Sequence, residues 1–339
     1  FDVDDIRIAV LDQDRSTDSR ALLDAFIASD YFTIDRHLAS ASEADDLLIR
    51  GQVLGVLTIP PGYARDLAAP GRTPEIQLLL DGSDANTATI AMNLSGAIAA
   101  MHGAAVSPPG GGAGASASMA SRGPPVRLES RTWYNPELQS RHMIVPGLIA
   151  VIMSMIAAML TALTIAREWE RGTMEQLAAT PVSRLEVVLG KLIPYLVIGA
   201  FDVAVTVVIG IALFGTPLNG SVLLLAVMTI LFLIGALGLG IVISAVVKSQ
   251  VLATQVAMVV TYLPALLLSG FMFDIASMPI VLEGVTYLVP ARYFITVTRG
   301  IFLKGVGVSV LWPQALLMIA FAVLSIALAT RVFRKELEA

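Results

Sequence analysis

Five stretches of almost uncharged sequence dominate the C-terminal part of this 339-residue chain. They cover residues 143–166, 192–214, 218–247, 249–273 and 305–330. Each supplies the roughly 20 apolar residues that a helix needs to cross a hydrocarbon core about 30 Å thick. One such stretch could be a buried helix of a soluble protein, but no soluble domain of this size could bury five. The sequence therefore predicts a polytopic α-helical membrane protein, with an up-and-down bundle over residues 143–339.

The charges are few and unevenly placed. Charged residues make up 14% of the chain, against about a quarter in soluble domains. Residues 1–142 hold eighteen acids and eleven bases, so they are acidic, whereas the remainder is slightly basic. This difference predicts a separate, soluble-looking domain over residues 1–142. The acidic balance argues against nucleic acid as a partner, and the absence of cysteine excludes disulfides and thiolate sites.

The N-terminal domain has the pattern of a small α/β fold with a mixed sheet. Strands are predicted at residues 6–11, 31–34, 53–59 and 76–80, and helices at 16–29, after a capping box at 42–45, and at 84–101. Residues 107–125 are rich in Gly, Pro and Ser, which predicts a flexible loop. His37 and His102 stand alone and the acids are scattered, so the sequence predicts neither a catalytic nor a metal site.

The basic residues predict the orientation of the spans. Most basic residues of the C-terminal part lie in three segments: the break after the first stretch, the break between the third and fourth stretches, and the C-terminal tail. They are Arg167, Arg171, Arg184, Lys191, Lys248, Arg331, Arg334 and Lys335. The positive-inside rule places these regions in the cytoplasm and residues 1–142 outside. An external domain needs a preceding export signal, so we expect a first transmembrane helix before Phe1; a cleaved signal peptide is the alternative.

The break at residues 167–191 has the most distinctive pattern. Arg167, Glu170, Arg171 and Glu175 are spaced for ion pairs on a helix that continues out of the first span. Gly172 can end that helix, and Thr173 can cap a short amphipathic one that Pro181 stops. Such a helix suits docking to a cytoplasmic partner, although an ordinary solvated loop is the alternative. The chain has no GxxxxGK[ST] motif, so any ATP hydrolysis must occur on a separate subunit.

Residues 167–181, with the sequence REWERGTMEQLAATP, resemble the signature of ABC-2 type exporter permeases. Further similar blocks are Trp133–Pro136, Val145–Leu148, Leu189–Tyr195, Leu268–Phe271, Ser277–Pro279, Pro290–Phe294 and Phe302–Gly305. The resemblance covers nearly the whole chain; Asp274 departs from it, because the family would place a proline there. It implies the six-helix bundle of type V exporters, here without its first helix, and an extracytoplasmic α/β domain.

The resemblance also implies a role for the cytoplasmic break and for its partners. In the family this segment is a coupling helix that seats in the ATPase subunit; here it would comprise Glu168, Glu170, Arg171, Gly172, Thr173, Glu175 and Gln176. The expected partners are a cytoplasmic ABC ATPase that binds ATP and Mg²⁺, a second permease chain (identical or different), the lipid bilayer and, as one option, a periplasmic adaptor. The expected location is the bacterial inner membrane, and the expected function is efflux of an amphiphilic or drug-like substrate.

Residues 274–304 and Asp202 are candidates for the substrate path. The apolar pieces of 274–304 are too short to span, so the family resemblance predicts two half-helices that enter the outer leaflet and return. Glu283, Arg292 and Arg299 are then interfacial anchors or members of gate ion pairs. Asp202, the only acid inside a predicted span, could contact a cationic substrate or pair within the bundle.

Two other function classes stay open from the residues alone. A membrane scaffold or receptor could display the outer domain, but it would not need the charged break. An ion-driven secondary transporter should show internal repeats or several intramembrane charges, and the sequence has neither.

Overall fold

A computed structural model describes residues 6–69, 72–106, 126–173, 176, 180–273, 275 and 278–332. The chain divides into two compact units, Phe1–Ser140 and Arg141–Ala339. Asp274 and residues 107–125, on which two of the predictions above fall, lie outside the described residues, as do Phe1 and Glu175.

The first unit is an α/β fold around one mixed sheet in the order β2-β1-β3-β4-β5. The strands are β1 (Ile6–Asp12), β2 (Phe32–His37), β3 (Gly55–Ile59), β4 (Glu75–Asp81) and β5 (Arg127–Trp133). β1, β2 and β3 are parallel, β4 runs antiparallel to β3, and β5 is parallel to β4. The helices are α1 (Thr17–Ile27), α2 (Ala41–Arg50), α3 (Tyr63–Ala68) and α4 (Ala85–Val106).

The four predicted strands are confirmed with small shifts at their ends, whereas β5 and α3 were not predicted. The capping box expected at residues 42–45 is wrong. α2 begins earlier, after the N-cap Ser40, and the Glu43 carboxylate accepts a hydrogen bond from the Ala39 N–H at 3.2 Å. Ser40, two residues before Ser42, is the N-cap although its side chain makes no capping hydrogen bond, because β2 ends at His37 and leaves only three residues before the helix.

The second unit is a helical bundle. Its long helices are α5 (Ser140–Glu170), α6 (Arg184–Phe214), α7 (Val222–Val247), α8 (Gln250–Leu267) and, last in the chain, α11 (Val308–Val332). Between α8 and α11 lie the short helices α9 (Ile280–Thr286) and α10 (Pro290–Arg299), the latter continued by a π-helical turn, Gly300–Lys304. Among the described residues six helices are long and apolar enough to cross a membrane. Five belong to this bundle; the sixth, α4, contributes Ala91 and Ala99 to the core that covers the sheet.

The five long helices of the bundle match the five predicted stretches, but α8 is shorter than expected. It ends at Leu267, where Leu268 donates to the Pro264 carbonyl at 2.8 Å and Gly270 turns the chain with φ +79°. Eighteen helical residues still extend about 27 Å.

Gly240 and Ser244, two small residues one turn apart on α7, pack against α5. Gly240 lies against Thr161 and the Ala158 backbone, where a Cβ would clash. The Thr161 hydroxyl donates to the Leu237 carbonyl at 2.9 Å, and Ser244 accepts from the Ala166 N–H at 2.8 Å. Because small residues let helix backbones approach closely in a membrane, these contacts make α5 and α7 the buried centre of the bundle.

Candidate functional site

The first helix of the bundle ends where the sequence predicts. Arg171 donates its N–H to the Arg167 carbonyl at 3.1 Å, and Gly172 then adopts φ +68°. The left-handed conformation suits glycine and ends a helix in the usual way. The segment with the distinctive charges therefore begins on the last turn of α5 and leaves the helix at Gly172.

Glu168 on this last turn forms an ion pair with Lys191 of α6. The Lys191 Nζ lies 2.5 Å from Glu168 Oε1, and the two side chains are only 17% and 31% exposed. The second carboxylate oxygen, Oε2, is also buried. The pair joins the end of α5 to the second turn of α6, whose start is fixed by a capping box of Ser183 and Glu186.

Glu170, two residues further, is bonded to the start of α8. Its carboxylate accepts from the Gln250 backbone N–H at 2.7 Å and from the Gln250 side-chain amide. The backbone hydrogen bond, followed by the side-chain one, lowers the pKa of Glu170 below its ordinary value. Glu170 thus satisfies an N–H in the first turn of α8, where a negative charge also complements the helix dipole.

Trp169 contacts the connection between α7 and α8. The Lys248 ammonium lies 4.3 Å from the centre of the Trp169 ring, a cation–π contact. Lys248 itself ends α7 in the left-handed conformation, with φ +56°. We call the set Glu168, Trp169, Glu170, Lys191, Lys248 and Gln250 the α5 junction, because it ties the end of α5 to three other helices.

The ion pairs predicted along the α5 turn are not formed in the described part of the chain. Arg167 donates to the Gln250 side-chain oxygen at 3.3 Å, and Glu170 is occupied by the same residue. Glu168 pairs with the partly desolvated Lys191 of α6, and Glu170 accepts a first-turn N–H of α8 that has no helical partner, whereas an i,i+4 ion pair on the same turn stays in water. Sequence reasoning missed Lys191, Lys248 and Gln250 as partners. The nearest signal was that Lys191 lies in the same polar break as the glutamates and Lys248 in the break before the fourth stretch, next to Gln250.

The remaining coupling candidates are on the surface of the bundle. Arg171, Gly172, Thr173 and Gln176 are exposed. The Thr173 hydroxyl contacts the Glu168 carbonyl at 3.4 Å, so it continues the end of α5. Glu175 and most of the predicted second helix lie outside the described residues. The seven candidates therefore differ: Glu168 is half-buried at the α5 junction, Glu170 is exposed but bonded to α8, and at least four others are exposed on the surface.

The opposite end of the bundle holds residues 278–304. α9 and the α10–π-turn helix meet at 80°, the geometry of a broken span or a re-entrant loop. Asn219, in the loop between α6 and α7, donates its side-chain amide to the Leu303 carbonyl at 2.8 Å. This end therefore gathers the two weakly basic connections, as the alternation of the spans requires.

The two arginines predicted for the path are bonded to this end of the bundle. Arg292 lies 4.0 Å from the centre of the Tyr287 ring and also donates to the Thr286 hydroxyl. Arg299 donates to the carbonyls of Gly270 at 3.2 Å and Phe271 at 3.4 Å, just beyond α8. Arg299 thus holds the turn at Gly270 and Phe271 that follows α8.

Glu283 and Asp202 have fewer contacts. Glu283 lies in the first turn of α9, where its charge complements the helix N-terminus. Asp202 is half-buried on α6, three residues from Gly199, which packs on Leu233 of α7. Its carbonyl accepts from the Thr206 hydroxyl at 2.7 Å. Across the described ranges, no hydrogen bond or ion pair of the Asp202 or Glu283 carboxylate is found, and no cluster of three or more potential metal ligands occurs.

Comparisons with known proteins agree over the length of the chain. The family described as "ABC-2 family transporter protein" matches residues 1–331. The chain is 34% identical over 339 residues to the "Probable multidrug ABC transporter permease YbhS" of Escherichia coli (strain K12), covering 100% of this chain and 87% of that protein. It is 28% identical over 340 residues to "Probable multidrug ABC transporter permease YbhR" of the same strain, covering 99% and 88%. A more distant similarity, 27% over 208 residues, is to "ABC transporter G family member 20" of Dictyostelium discoideum, covering 60% and 28%.

Proposed function

Because this chain belongs to the ABC-2 family of transporter proteins, we propose that it is the permease subunit of an ATP-driven exporter. It is a multi-pass inner-membrane protein of the ABC permease type. It moves an amphiphilic or drug-like substrate out of the cytoplasm or inner leaflet by alternating access. ATP and Mg²⁺ bind to a separate ATPase subunit, which supplies the driving force.

The α5 junction is the observation that supports this proposal. Motion of an ATPase reaches the bundle only through contacts that differ between two states. A surface segment on an isolated loop would absorb such motion, whereas the exposed residues 171–173 follow directly on a turn bonded to α6, α7 and α8. In this proposal Arg171, Gly172, Thr173, Glu175 and Gln176 contact the ATPase, and Glu168 and Glu170 pass the displacement to the helices.

Glu283, Arg292 and Arg299 shape the outer exit in the same scheme. Arg299 fixes the end of α8 to α10, so the exit opens when α8 and the bent pair α9–α10 move together. Two permease chains pair around a central path, because one bundle leaves little room for a bulky substrate. A periplasmic adaptor remains an optional partner of the outer domain.

A charge reversal on the exposed segment tests the ATPase contact. Arg171→Glu should abolish co-purification with the proposed ABC ATPase subunit, and ATP-dependent transport in vesicles should fall with it. Arg184→Glu is the matched control, because Arg184 is equally exposed, lies in the same connection and is outside residues 168–176. Equal loss of the ATPase from both variants, or from neither, would contradict the proposal.

The absence of cysteine allows the orientation to be tested directly. Single cysteines at Thr33 of the first unit and at Thr180 of the second are both exposed. A membrane-impermeant maleimide added to intact cells should label Thr33→Cys and not Thr180→Cys. In inverted vesicles the labelling should exchange; any other pattern contradicts the proposed topology.

A further inference from the structure

The first unit contains a cavity at the carboxyl edge of its parallel strands. The cavity has a volume of about 240 Å³ and is lined by Asp12, Arg15, Arg20 and His37 over a floor that includes Val10 and Leu23. Asp12 is the last residue of β1 and His37 the last residue of β2. Because parallel strands end at the same edge, these residues come from neighbouring strand ends.

The cavity lies beside the point where the strand order of the sheet reverses, not at that point. The chain passes from β1 to β2 on one side and then returns to β3 on the other side of β1. The strand order therefore reverses between β1 and β3, where many open α/β sheets bind ligands. This cavity lies on the other side of β1, at the ends of β1 and β2, so the case for a ligand rests on its side chains.

The side chains around the cavity are basic, although residues 1–142 as a whole are acidic. In the described part of the chain Arg15 and Arg20 have no ion-pair partner, whereas Arg36, Arg72 and Arg127 are each paired with a carboxylate. Two unpaired guanidinium groups and an imidazole thus converge on one small volume.

The acid at this edge is already occupied by the protein. Asp12 Oδ1 accepts from the N–H groups of Asp14 at 3.0 Å and Arg15 at 2.9 Å, and Oδ2 accepts from the Ser19 hydroxyl at 2.8 Å. These bonds fold the turn between β1 and α1 and hold Arg15 at φ +54°. A non-glycine residue kept in this region is strained, and such strain is concentrated at functional sites.

From this arrangement we propose that the cavity binds a small oxyanion, a phosphate group or the phosphate of a phosphorylated head group. Guanidinium groups offer planar paired donors that match phosphate oxygens. The volume lies below the roughly 300–1,000 Å³ of drug-sized pockets, so the ligand is a small anion or head group and the exported substrate binds elsewhere. The site is independent of the transport proposal.

Binding is measured on the full chain in alkyl-maltoside micelles and phosphate-free buffer, so that no lipid phosphate competes. The method is titration calorimetry with inorganic phosphate and with glycerol 3-phosphate. Saturable binding of inorganic phosphate identifies the free anion as the ligand. Binding of glycerol 3-phosphate alone identifies a phosphorylated head group. Sodium chloride at equal ionic strength controls for nonspecific screening.

Substitutions test the assignment of the side chains. Arg20→Gln and Arg15→Gly should each weaken binding at least about tenfold, the loss expected for one charge-assisted hydrogen bond. Arg15→Gly also relieves the left-handed backbone, so it should fold at least as well as the unchanged chain. Arg36→Gln is the matched control: Arg36 precedes His37 on β2 but is paired with Asp35 at 3.4 Å. No saturable binding of either probe, or undiminished binding in the Arg15→Gly, Arg20→Gln double variant, would overturn the proposal.

Discussion

The ion pair between Glu168 and Lys191 allows a quantitative test of the α5 junction. The pair is close, at 2.5 Å, and its side chains are 31% and 17% exposed. Removing one member of a fully buried pair costs about 3–5 kcal/mol, because the other charge is left without a partner. Partial exposure of Glu168 lets water compensate in part, so we expect about 1.5–3 kcal/mol for Glu168→Gln or Lys191→Met.

The double variant separates pairing from simple burial. In Glu168→Gln with Lys191→Met no charge is left unpaired, so its loss of stability should be close to that of one single variant and well below the sum of the two. Equilibrium unfolding of the purified chain in mixed micelles of mild detergent and dodecyl sulfate measures all three values. The single variants should also fail to stimulate ATP hydrolysis by the proposed ATPase subunit, because the end of α5 is no longer tied to α6.

An exposed pair on the first unit provides the control. Arg127 and Glu129 lie 3.1 Å apart with side chains 60% and 55% exposed. Exposed pairs contribute about 0–1 kcal/mol, so Glu129→Gln should change stability by less than either variant at the junction. If the Glu168 and Lys191 effects add within about 0.5 kcal/mol, the two residues are energetically independent. That result would refute the junction as a coupled unit.

Three further predictions concern other parts of the chain. Gly240→Ala should destabilise the bundle and separate α7 from α5. Gly190 has open space around it, so Gly190→Ala should stabilise α6 by up to about 1 kcal/mol. Equilibrium unfolding in the same mixed micelles measures both changes in stability. Asp14 accepts from the N–H groups of Gly62 at 2.7 Å and Ala64 at 3.1 Å, so Asp14→Ala should destabilise α3 by about 1 kcal/mol. A hydrogen bond from Ser16, then the backbone N–H groups, holds the pKa of Asp14 below its ordinary 3.8 despite opposition from burial. The stability that Asp14 contributes is therefore present above pH 3.8 and is lost as the pH falls through the lower folded pKa. Hydrogen exchange of peptides from residues 60–69 should show that acid-induced loss in the unchanged chain but not in Asp14→Asn. Arg299→Lys should loosen the segment after α8, since a lysine ammonium lacks the planar pair of donors with which Arg299 binds the Gly270 and Phe271 carbonyls. Amide hydrogen exchange of residues 268–273 should become faster. Unchanged exchange would contradict the role of Arg299.

The long elements could be predicted from the sequence because each follows from one local property. A run of about 20 apolar residues defines a span, and the alternation of Ile6, Ile8 and Val10 with the turns around them defines β1. β5 was not predicted because Arg127–Trp133 carries five polar residues in seven and is exposed along most of its length. It is a strand only because β4 offers a parallel partner over its full length, which is information that the local sequence does not contain.

The candidate site divides in the same way. Gly172 as the end of α5 follows from glycine's freedom at positive φ, and the structure confirms it. The partners of Glu168 and Glu170 could not be predicted, because Lys191 and Gln250 lie 23 and 80 residues away. Local spacing favoured ion pairs along one turn. The packed bundle instead offers Glu168 a partly desolvated lysine and Glu170 the N–H groups at the start of α8.

The contrast between the two sides of α5 bears on how the bundle can move. Within the bundle α5 meets α7 through Gly240 and Ser244, contacts that depend on close backbone approach and leave no room for sliding. At its end α5 meets α6 and α8 through charged and amide side chains, which can exchange partners or water with little change in packing. Displacement applied at Arg171 should therefore shift α6 and α8 relative to a rigid α5–α7 pair. The moving helices are then those with the most exposed apolar surface, which can slide against lipid or a second chain without opening a cavity.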